Sequence, residues 1–207
     1  MVALYDISWE GDGGVDGEIE LCKAASGDNV EARRALVARL LKPVRNLARY
    51  LAKNDADADD IAQTAMVEIL RSVGSFKGRG TLKSWALRIT GRAAWAHIGK
   101  NRGESKLVQS IRDDDPGEKV IEFPTADSGF VFRRRLSECL DGLNPERRAV
   151  LVFKLVLGYS IKEIADLTGV SVNTVKDRLR VGRLELHDLL AQDPVFGRYA
   201  DEVRGDG

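Results

Sequence analysis

The sequence has few of the residues that build metal centres and nucleophilic active sites. Among its 207 residues are two cysteines and two histidines, and neither Cys22 nor Cys139 has another cysteine or histidine at metal-ligand spacing. Both thiols are expected to be ordinary packed side chains in a reducing compartment. His97 and His187 are far apart and have no evident partner in the sequence. We therefore expect no metal, no cofactor and no enzymatic activity.

The chain also lacks a net charge and a long apolar run. Lys plus Arg and Asp plus Glu number 32 each, and no apolar stretch has the length of a membrane span or a secretory signal. A neutral sum argues against a nucleic-acid binder only if the charges are evenly spread. Residues 28–106, however, hold sixteen cations and eight anions, whereas residues 1–27 and 107–132 are acidic. Positive charge is thus concentrated in one block, as DNA contact would require.

Apolar residues recur three or four positions apart over most of the chain, which is the period of amphipathic helices. The pattern predicts an all-α fold with two small helical domains, at residues 21–103 and 131–191. A glycine-rich acidic leader is expected at 1–20 and a flexible acidic linker at 104–130, because neither has a sustained period. The tail at 192–207 has little pattern.

A helix, a tight turn and a second helix are predicted near the C-terminus. Ser160 and Glu163 form the sequence of a capping box, which marks a helix start. Gly169 stands where a short turn needs a positive φ, and Ser171 can cap the second helix. The second helix has an apolar stripe of Val172, Val175, Leu179 and Leu186. The arrangement predicts a helix-turn-helix.

The other side of that second helix is polar, with cations at its margins. Such a helix suits the DNA major groove, where polar side chains read base edges and cations bind phosphates. The outward side chains are Asn173, Thr174, Asp177 and Arg180, and those at the flanks are Lys176, Arg178 and Arg183.

A second nucleic-acid element is predicted in the basic block. A loop with two glycines and two cations precedes a helix that Thr81 can cap, and on an ideal helix Arg88, Gly91 and Trp95 lie opposite the buried stripe. A melted strand binds such a surface through base stacking and backbone charge. The alternative for Trp95 is packing against a neighbouring helix. The candidate contacts are Phe76, Lys77, Gly78, Arg79, Gly80, Thr81, Leu82, Lys83, Trp85, Arg88, Arg92, Trp95 and Lys100.

Four landmarks together resemble the extracytoplasmic-function class of bacterial sigma factors, in the sigma-70 superfamily. Their order and separation carry the likeness, which covers residues 27–190. The landmarks are DADDIAQ at 57–63, FKG at 76–78 with LKSW at 82–85, LNPERR at 143–148, and GYSIKEIA at 158–165 leading into VNTVK at 172–176.

The resemblance implies an initiation factor of the bacterial cytoplasm, built from sigma regions 2 and 4. Such a factor binds core RNA polymerase at the clamp helices of the largest subunit and at the flap. It directs the enzyme to promoters by reading the -35 and -10 elements, and it promotes strand opening. An anti-sigma factor is a further implied partner, and membrane insertion is not implied. The polymerase contacts fall here on Asp60, Gln63, Thr64 and Glu68.

The resemblance also assigns the two DNA elements. The loop at 76–82 would capture an unstacked base of the downstream element while the next helix holds the duplex fork; Arg92 stands where the family has asparagine. Asp177 stands where the family often has serine, and an aspartate accepts from a cytosine amino group. The upstream contacts would be Ser171, Asn173, Thr174, Lys176, Asp177, Arg178, Arg180, Val181 and Arg183.

Two other functions fit parts of the pattern. A helix-turn-helix regulator that does not replace a polymerase subunit would bind duplex operator by itself. A recombinase or nuclease with an accessory helix-turn-helix would need clustered carboxylates for metals, or an activated serine or tyrosine. Neither arrangement is evident around Tyr5, Tyr50, Tyr159 or Tyr199.

Overall fold

The computed structural model describes residues 15–101 and 129–197, and in this part of the chain the helices are joined by turns and loops, with no strand. The predicted all-α fold is thus confirmed. Eight α-helices and a short 3₁₀ helix follow one another: α1 (Val15–Ser26), α2 (Val30–Leu51), α3 (Asp55–Ser72), the 3₁₀ helix (Val73–Ser75), α4 (Leu82–Asn101), α5 (Gly129–Asp141), α6 (Pro145–Leu155), α7 (Ile161–Thr168) and α8 (Val172–Gln192).

Helices α1–α4 form an N-terminal unit in which α2, α3 and α4 all contact one another. Asparagine or threonine starts each of the three, because the side-chain oxygen accepts from a free backbone amide of the first turn. Asn29 accepts from Ala32 N at 2.9 Å, and Asn54 from Asp57 N at 2.8 Å. Thr81 accepts from Ser84 N at 3.1 Å, as the sequence predicts.

The prediction of a flexible leader at residues 1–20 is wrong for residues 15–20, because these six residues lie in α1. Cys22 and Ala25 are buried, and Ile19 is partly buried against the same core. These positions are three residues apart, so they form one apolar side of a helix. Three apolar positions are too few for periodicity alone to predict a helix. Residues 1–14 lie outside the described part of the chain.

Helices α5–α8 form a C-terminal unit in which α8 contacts α5, α6 and α7. Asn144 accepts from Glu146 N at 3.0 Å, and Pro145 takes the first helical position, where its missing N–H is not needed. Side chains from Ala149 to Phe153 are buried, as the apolar run at 149–157 predicts. The predicted stripe of α8 is correct at Val175 and Leu179, but Val172 is exposed.

The two units pack against each other through α6, which contacts α2 and α4, and through α5, which contacts α2. Their buried side chains form one continuous cluster. The sequence predicted two domains joined by a flexible linker and gave no indication of this contact. The predicted linker, 104–130, lies outside the described residues except for its last two, which begin α5, and so does the tail from residue 198. Within the described residues, none of the helices has the length and apolar character needed to cross a membrane.

Candidate functional site

The helix-turn-helix is built as its sequence predicts. Ser160 N donates to Glu163 Oε2 at 2.7 Å and Glu163 N to Ser160 Oγ at 3.2 Å, which completes the capping box. α7 ends at Gly169 with φ +67°. Ser171 Oγ then accepts from Thr174 N at 3.1 Å and starts α8. The turn therefore holds α8 against α7 at a fixed angle.

The outward side of α8 is accessible along two turns. Asp177 and Arg180 are paired at 2.9 Å, and two-thirds of each side chain is exposed. Thr174 and Val181 are half-buried, and the Thr174 hydroxyl is within 2.9 Å of the Ser171 hydroxyl. Exposed positions of the predicted set are Ser171, Asn173, Lys176, Asp177, Arg180 and Arg183.

Arg178 was predicted at the flank of the outward side of α8, but its side chain turns inward. It forms an ion pair with Glu146 in the first turn of α6, and only 17% of the side chain is exposed. A long side chain can bury its stem and still find a carboxylate, so position on an ideal helix does not fix its direction. Arg178 therefore holds α8 to α6 in this structure.

The loop at 76–81 combines a buried anchor with exposed cations. Phe76 is buried and its ring lies 5.7 Å from that of Trp85, while Lys77 and Arg79 are exposed. Gly78 has φ +68°, a conformation that side chains with a Cβ rarely adopt. Leu82 is buried at the start of α4. Of the loop contacts predicted for DNA, Phe76 and Leu82 thus also anchor the loop in the core.

Helix α1 covers one side of this loop, which the sequence did not indicate. Glu18 Oε2 accepts from Leu82 N at 2.9 Å, so its carboxylate caps α4 from 64 residues away. A Cβ on Gly78 would lie 2.6 Å from Ile19 Cδ1 and 2.7 Å from Val15 Cγ1. The glycine is therefore required by both the backbone angle and the neighbouring helix. Glu18 and Ile19 had no signal beyond the short apolar period of α1.

The side of α4 predicted to face DNA is covered by the C-terminal unit. Trp95 lies edge-on to Phe153 with ring centroids 6.3 Å apart, and Gly91 is buried. The Arg88 guanidinium lies 4.8 Å from the centre of the Tyr159 ring, and it is 3.9 Å from Glu163. The prediction of an exposed side is wrong for this conformation, and the packing alternative for Trp95 is correct. The remaining candidates on α4 are half-buried (Lys83, Trp85, Arg92) or exposed (Lys100).

The predicted polymerase contacts share the outer side of α3. Asp60, Gln63, Thr64 and Glu68 are all exposed. Next to them, between α2 and α3, is an open groove of about 520 Å³. Its apolar walls are Val37, Leu41, Met66, Val67 and Leu70, and polar side chains at its rim are Arg45, Asp59 and Gln63. Leu41 and Val67 are large exposed apolar side chains.

A smaller cavity of about 220 Å³ lies where the two units meet. His97 Nε2 is 3.0 Å from Asp57 Oδ1 at its wall, so the histidine has a partner that the sequence did not reveal. Asn144 and Glu146 line the opposite side. Among the described residues, no cluster of three or more His, Cys, Asp or Glu side chains is placed to hold a metal ion.

Family comparison divides the chain into two matches. Residues 36–104 match Sigma-70 region 2, and residues 133–186 match Sigma-70 region 4. Together they cover the helices that carry every predicted contact.

The chain is also similar to individual proteins. It is 30% identical to the ECF RNA polymerase sigma factor SigM of Mycobacterium tuberculosis strain H37Rv, over 84% of each chain. It is 32% identical to the ECF RNA polymerase sigma factor SigE of Mycolicibacterium smegmatis, over 72% of this chain and 58% of that protein. Among solved structures, that of CnrH in complex with the cytosolic domain of CnrY aligns with 22% identity and a TM-score of 0.48, covering 86% of this chain and 99% of that one.

Proposed function

Because this chain belongs to the extracytoplasmic-function class of the sigma-70 family, we propose that it binds core RNA polymerase, selects promoters through the -35 and -10 elements and promotes strand opening. The observation that carries the proposal is the exposed outward side of α8, presented by a fully capped helix-turn-helix in the same chain as a region 2 unit. A regulator that acts without polymerase would need only α7 and α8. The match at 36–104 therefore favours the initiation factor.

We assign the polymerase contact to the outer side of α3 and the adjoining groove. Gln63 belongs to both, and Leu41 and Val67 add apolar surface that is exposed in the free chain. Exposed apolar patches rimmed by polar groups are typical of protein interfaces. The clamp helices of the largest polymerase subunit are the proposed occupant, with the flap as the contact of the C-terminal unit.

The two DNA elements divide the work of recognition. α8 binds the duplex upstream element, where Lys176 contacts phosphate and Asp177 and Arg180 reach base edges. The loop at 76–81 and α4 bind the melted downstream strand, for which Lys77 and Arg79 supply exposed charge. Strand opening then follows from preferential binding to the melted form, so the proposal requires no catalytic residue.

We further propose that an anti-sigma factor sequesters this protein in the bacterial cytoplasm. CnrH, to which this chain is similar, has been solved in complex with the cytosolic domain of CnrY. The exposed Leu41 and Val67 are apolar surface that a sequestering partner would cover. Affinity purification from the native cytoplasm should recover a partner besides polymerase. Recovery of polymerase alone would contradict this part of the proposal.

Run-off transcription tests the main function. Core polymerase with this protein is expected to initiate at a defined set of promoters, identified by genome-wide mapping of bound sites. Asp60→Lys should abolish or strongly reduce binding to core polymerase, because it reverses a charge at the proposed contact. Asp28→Lys is the matched control, since Asp28 is also exposed but lies between α1 and α2. Promoter binding that is equally strong without polymerase would favour the regulator instead.

A further inference from the structure

Helix α1 contacts the loop at 76–81 in its middle and α4 at its first residue. We propose that α1 positions this loop for the melted strand, with Glu18 as the residue that fixes the point where the loop joins α4. Glu18 is a positioning residue, because it acts through the loop and α4 and does not touch the strand. The identity of the strand rests on the proposed function, whereas the contact with α1 does not.

The loop has fixed ends and a middle that contains glycine. At one end Phe76 is buried, with its ring 5.7 Å from that of Trp85, and at the other end Leu82 is fully buried. Between them lie Gly78 and Gly80. Glycine has more backbone freedom to lose than any other residue, so such a loop orders only if contacts from outside compensate for that loss. Helix α1 provides such contacts.

The first contact is apolar and lies at Gly78, which has φ +68°. A Cβ built there would lie 2.6 Å from Ile19 Cδ1 and 2.7 Å from Val15 Cγ1, so both side chains of α1 lie directly against the loop backbone. Ile19 in turn packs against the hydrophobic core. The middle of the loop therefore rests on a side chain that is itself held in place.

The second contact is a hydrogen bond at the start of α4. Glu18 Oε2 accepts from Leu82 N at 2.9 Å. The amides of a first helical turn have no acceptor within the helix, and a carboxylate there forms a charge-assisted bond that also suits the helix dipole. Thr81 Oγ1 accepts from a different amide, Ser84 N, at 3.1 Å. The start of α4 is thus fixed twice, once by its own cap and once by α1.

Glu18 has two effects on the strand, and they have opposite signs. A loop held in its binding conformation avoids an ordering cost when the strand binds, which strengthens binding. A carboxylate beside the loop also repels phosphates, which weakens their binding to the exposed Lys77 and Arg79. Positioning predicts that removing the side chain weakens strand binding, and repulsion alone predicts the reverse. Glu18→Gln separates the two, because an amide oxygen still accepts from Leu82 N while the charge is gone.

The contact itself is tested on the free full chain by two-dimensional ¹H–¹⁵N NMR. Glu18→Ala is expected to move the Leu82 amide proton upfield, because its hydrogen bond is lost, and to shift the amides of residues 77–80. Glu20→Ala is the matched control, since it removes a carboxylate from an exposed position of the same helix. It should leave those resonances unchanged. An unmoved Leu82 resonance in Glu18→Ala would overturn the proposal, whatever the chain does with polymerase.

The role in strand binding is tested with core polymerase and the full chain at a promoter found by genome-wide mapping. Open complexes, measured by permanganate reactivity, should fall about fivefold in Glu18→Ala, which is the effect of about one capping hydrogen bond. Glu20→Ala should match wild type, and Glu18→Gln should retain about half of the opening or more, because it keeps the acceptor. Binding to core polymerase should be the same for all four proteins, because Glu18 lies outside the groove between α2 and α3. Equal or increased opening in Glu18→Ala would overturn the positioning role.

A general loss of α1 stability is distinguished by another variant. Glu20→Gly lowers helix stability through backbone freedom at an exposed position, and urea unfolding measures how far each variant is destabilised. It should reduce open complexes less than Glu18→Ala. An equal loss of opening in Glu20→Gly would overturn the specific role of Glu18. A wild-type chain that opens no promoter with core polymerase would refute the proposed function, while the Leu82 resonance still reports the contact with α1.

Discussion

The side chain of Arg148 joins the two units of the protein. It is buried in α6, and its Nη1 donates to the backbone carbonyl of Ala52 at the end of α2 and to Asp141 Oδ1, 3.0 Å away on α5. Burial raises the pKa of Asp141 despite the opposing effect of Arg148, and burial lowers the pKa of Arg148 despite the opposing effect of Asp141. Each charge thus offsets part of the cost of burying the other.

Loss of this guanidinium should be strongly destabilising. Arg148→Ala leaves the buried carbonyl of Ala52 without a donor and Asp141, whose side chain is 29% exposed, without its partner. Loss of a hydrogen bond to a buried group and of a buried side chain costs about 2–3 kcal/mol. Urea unfolding measures the change in free energy. Arg147→Ala is the neighbouring control: its ion pair with Glu185 is about one-third exposed, so a change of about 0–1 kcal/mol is expected. Equal effects of the two substitutions would contradict the bridging role of Arg148.

The exposed outward side of α8 gives a prediction about promoter affinity. Arg180→Ala should weaken binding of the polymerase complex to promoter DNA by about 1–3 kcal/mol and relax the preference at one base pair. Lys176→Ala should weaken binding at all promoters. Because one phosphate contact is lost, the slope of the logarithm of the binding constant against the logarithm of the salt concentration should become shallower by about one. Electrophoretic mobility shifts over a range of salt concentrations measure both.

Asp177 is the position at which promoter preference should depart from that of relatives with serine there. Asp177→Ser is expected to change the favoured base at its contact and to free Arg180, its partner at 2.9 Å. Asp188→Ser, farther along α8, is the control for lost negative charge, because its side chain is 76% exposed. Unchanged base preference in Asp177→Ser would show that the aspartate only holds Arg180.

The loop at 76–81 should affect melting more than promoter binding. Lys77→Gln with Arg79→Gln removes two exposed cations and keeps Phe76, which is needed for the fold. Open complexes should fall about tenfold, equivalent to about 1.4 kcal/mol of strand binding. Permanganate reactivity of unpaired thymines measures them. The control is Lys23→Gln with Lys53→Gln, which removes two positive charges from exposed sites outside the loop. Normal melting in the loop variant would count against a role in opening.

Local chemistry explains what was predictable from the sequence. The capping box of Ser160 and Glu163, the positive φ of Gly169 and the cap and proline at Asn144 and Pro145 each depend on residues within three positions. Their physical cause is a few unpaired backbone amides, and the sequence displays the group that satisfies them. These elements were therefore predicted correctly.

Contacts between distant segments were not predictable in the same way. Glu18 caps a helix that starts 64 residues later, and Arg178 turns from the outward side of α8 to Glu146. Trp95 packs on Phe153 because two helices from different units meet there. Helical periodicity assigns a side to each residue, but it does not say which neighbour covers that side. In α4, apolar and polar residues occur on both sides of the helix, so the sequence does not distinguish the packed side from the exposed one.

The thiol of Cys22 should be nearly unreactive in the folded protein. Burial, and to a smaller extent Glu18, raises its pKa from 9.0 to about 11, while Arg39 opposes the shift. At pH 8 the thiolate fraction is then about 100-fold lower than for an unperturbed cysteine, and the thiolate is the reactive form. Alkylation by iodoacetamide, followed by mass spectrometry, should be slow at Cys22 until the protein unfolds.

Since the folded pKa is raised, the associated stability is present below pH 9 and is lost as the pH rises towards 11; Cys22→Ala should lose less stability over that window. Rapid alkylation at pH 8 with α1 still folded would contradict the burial of this thiol between α1 and the rest of the core.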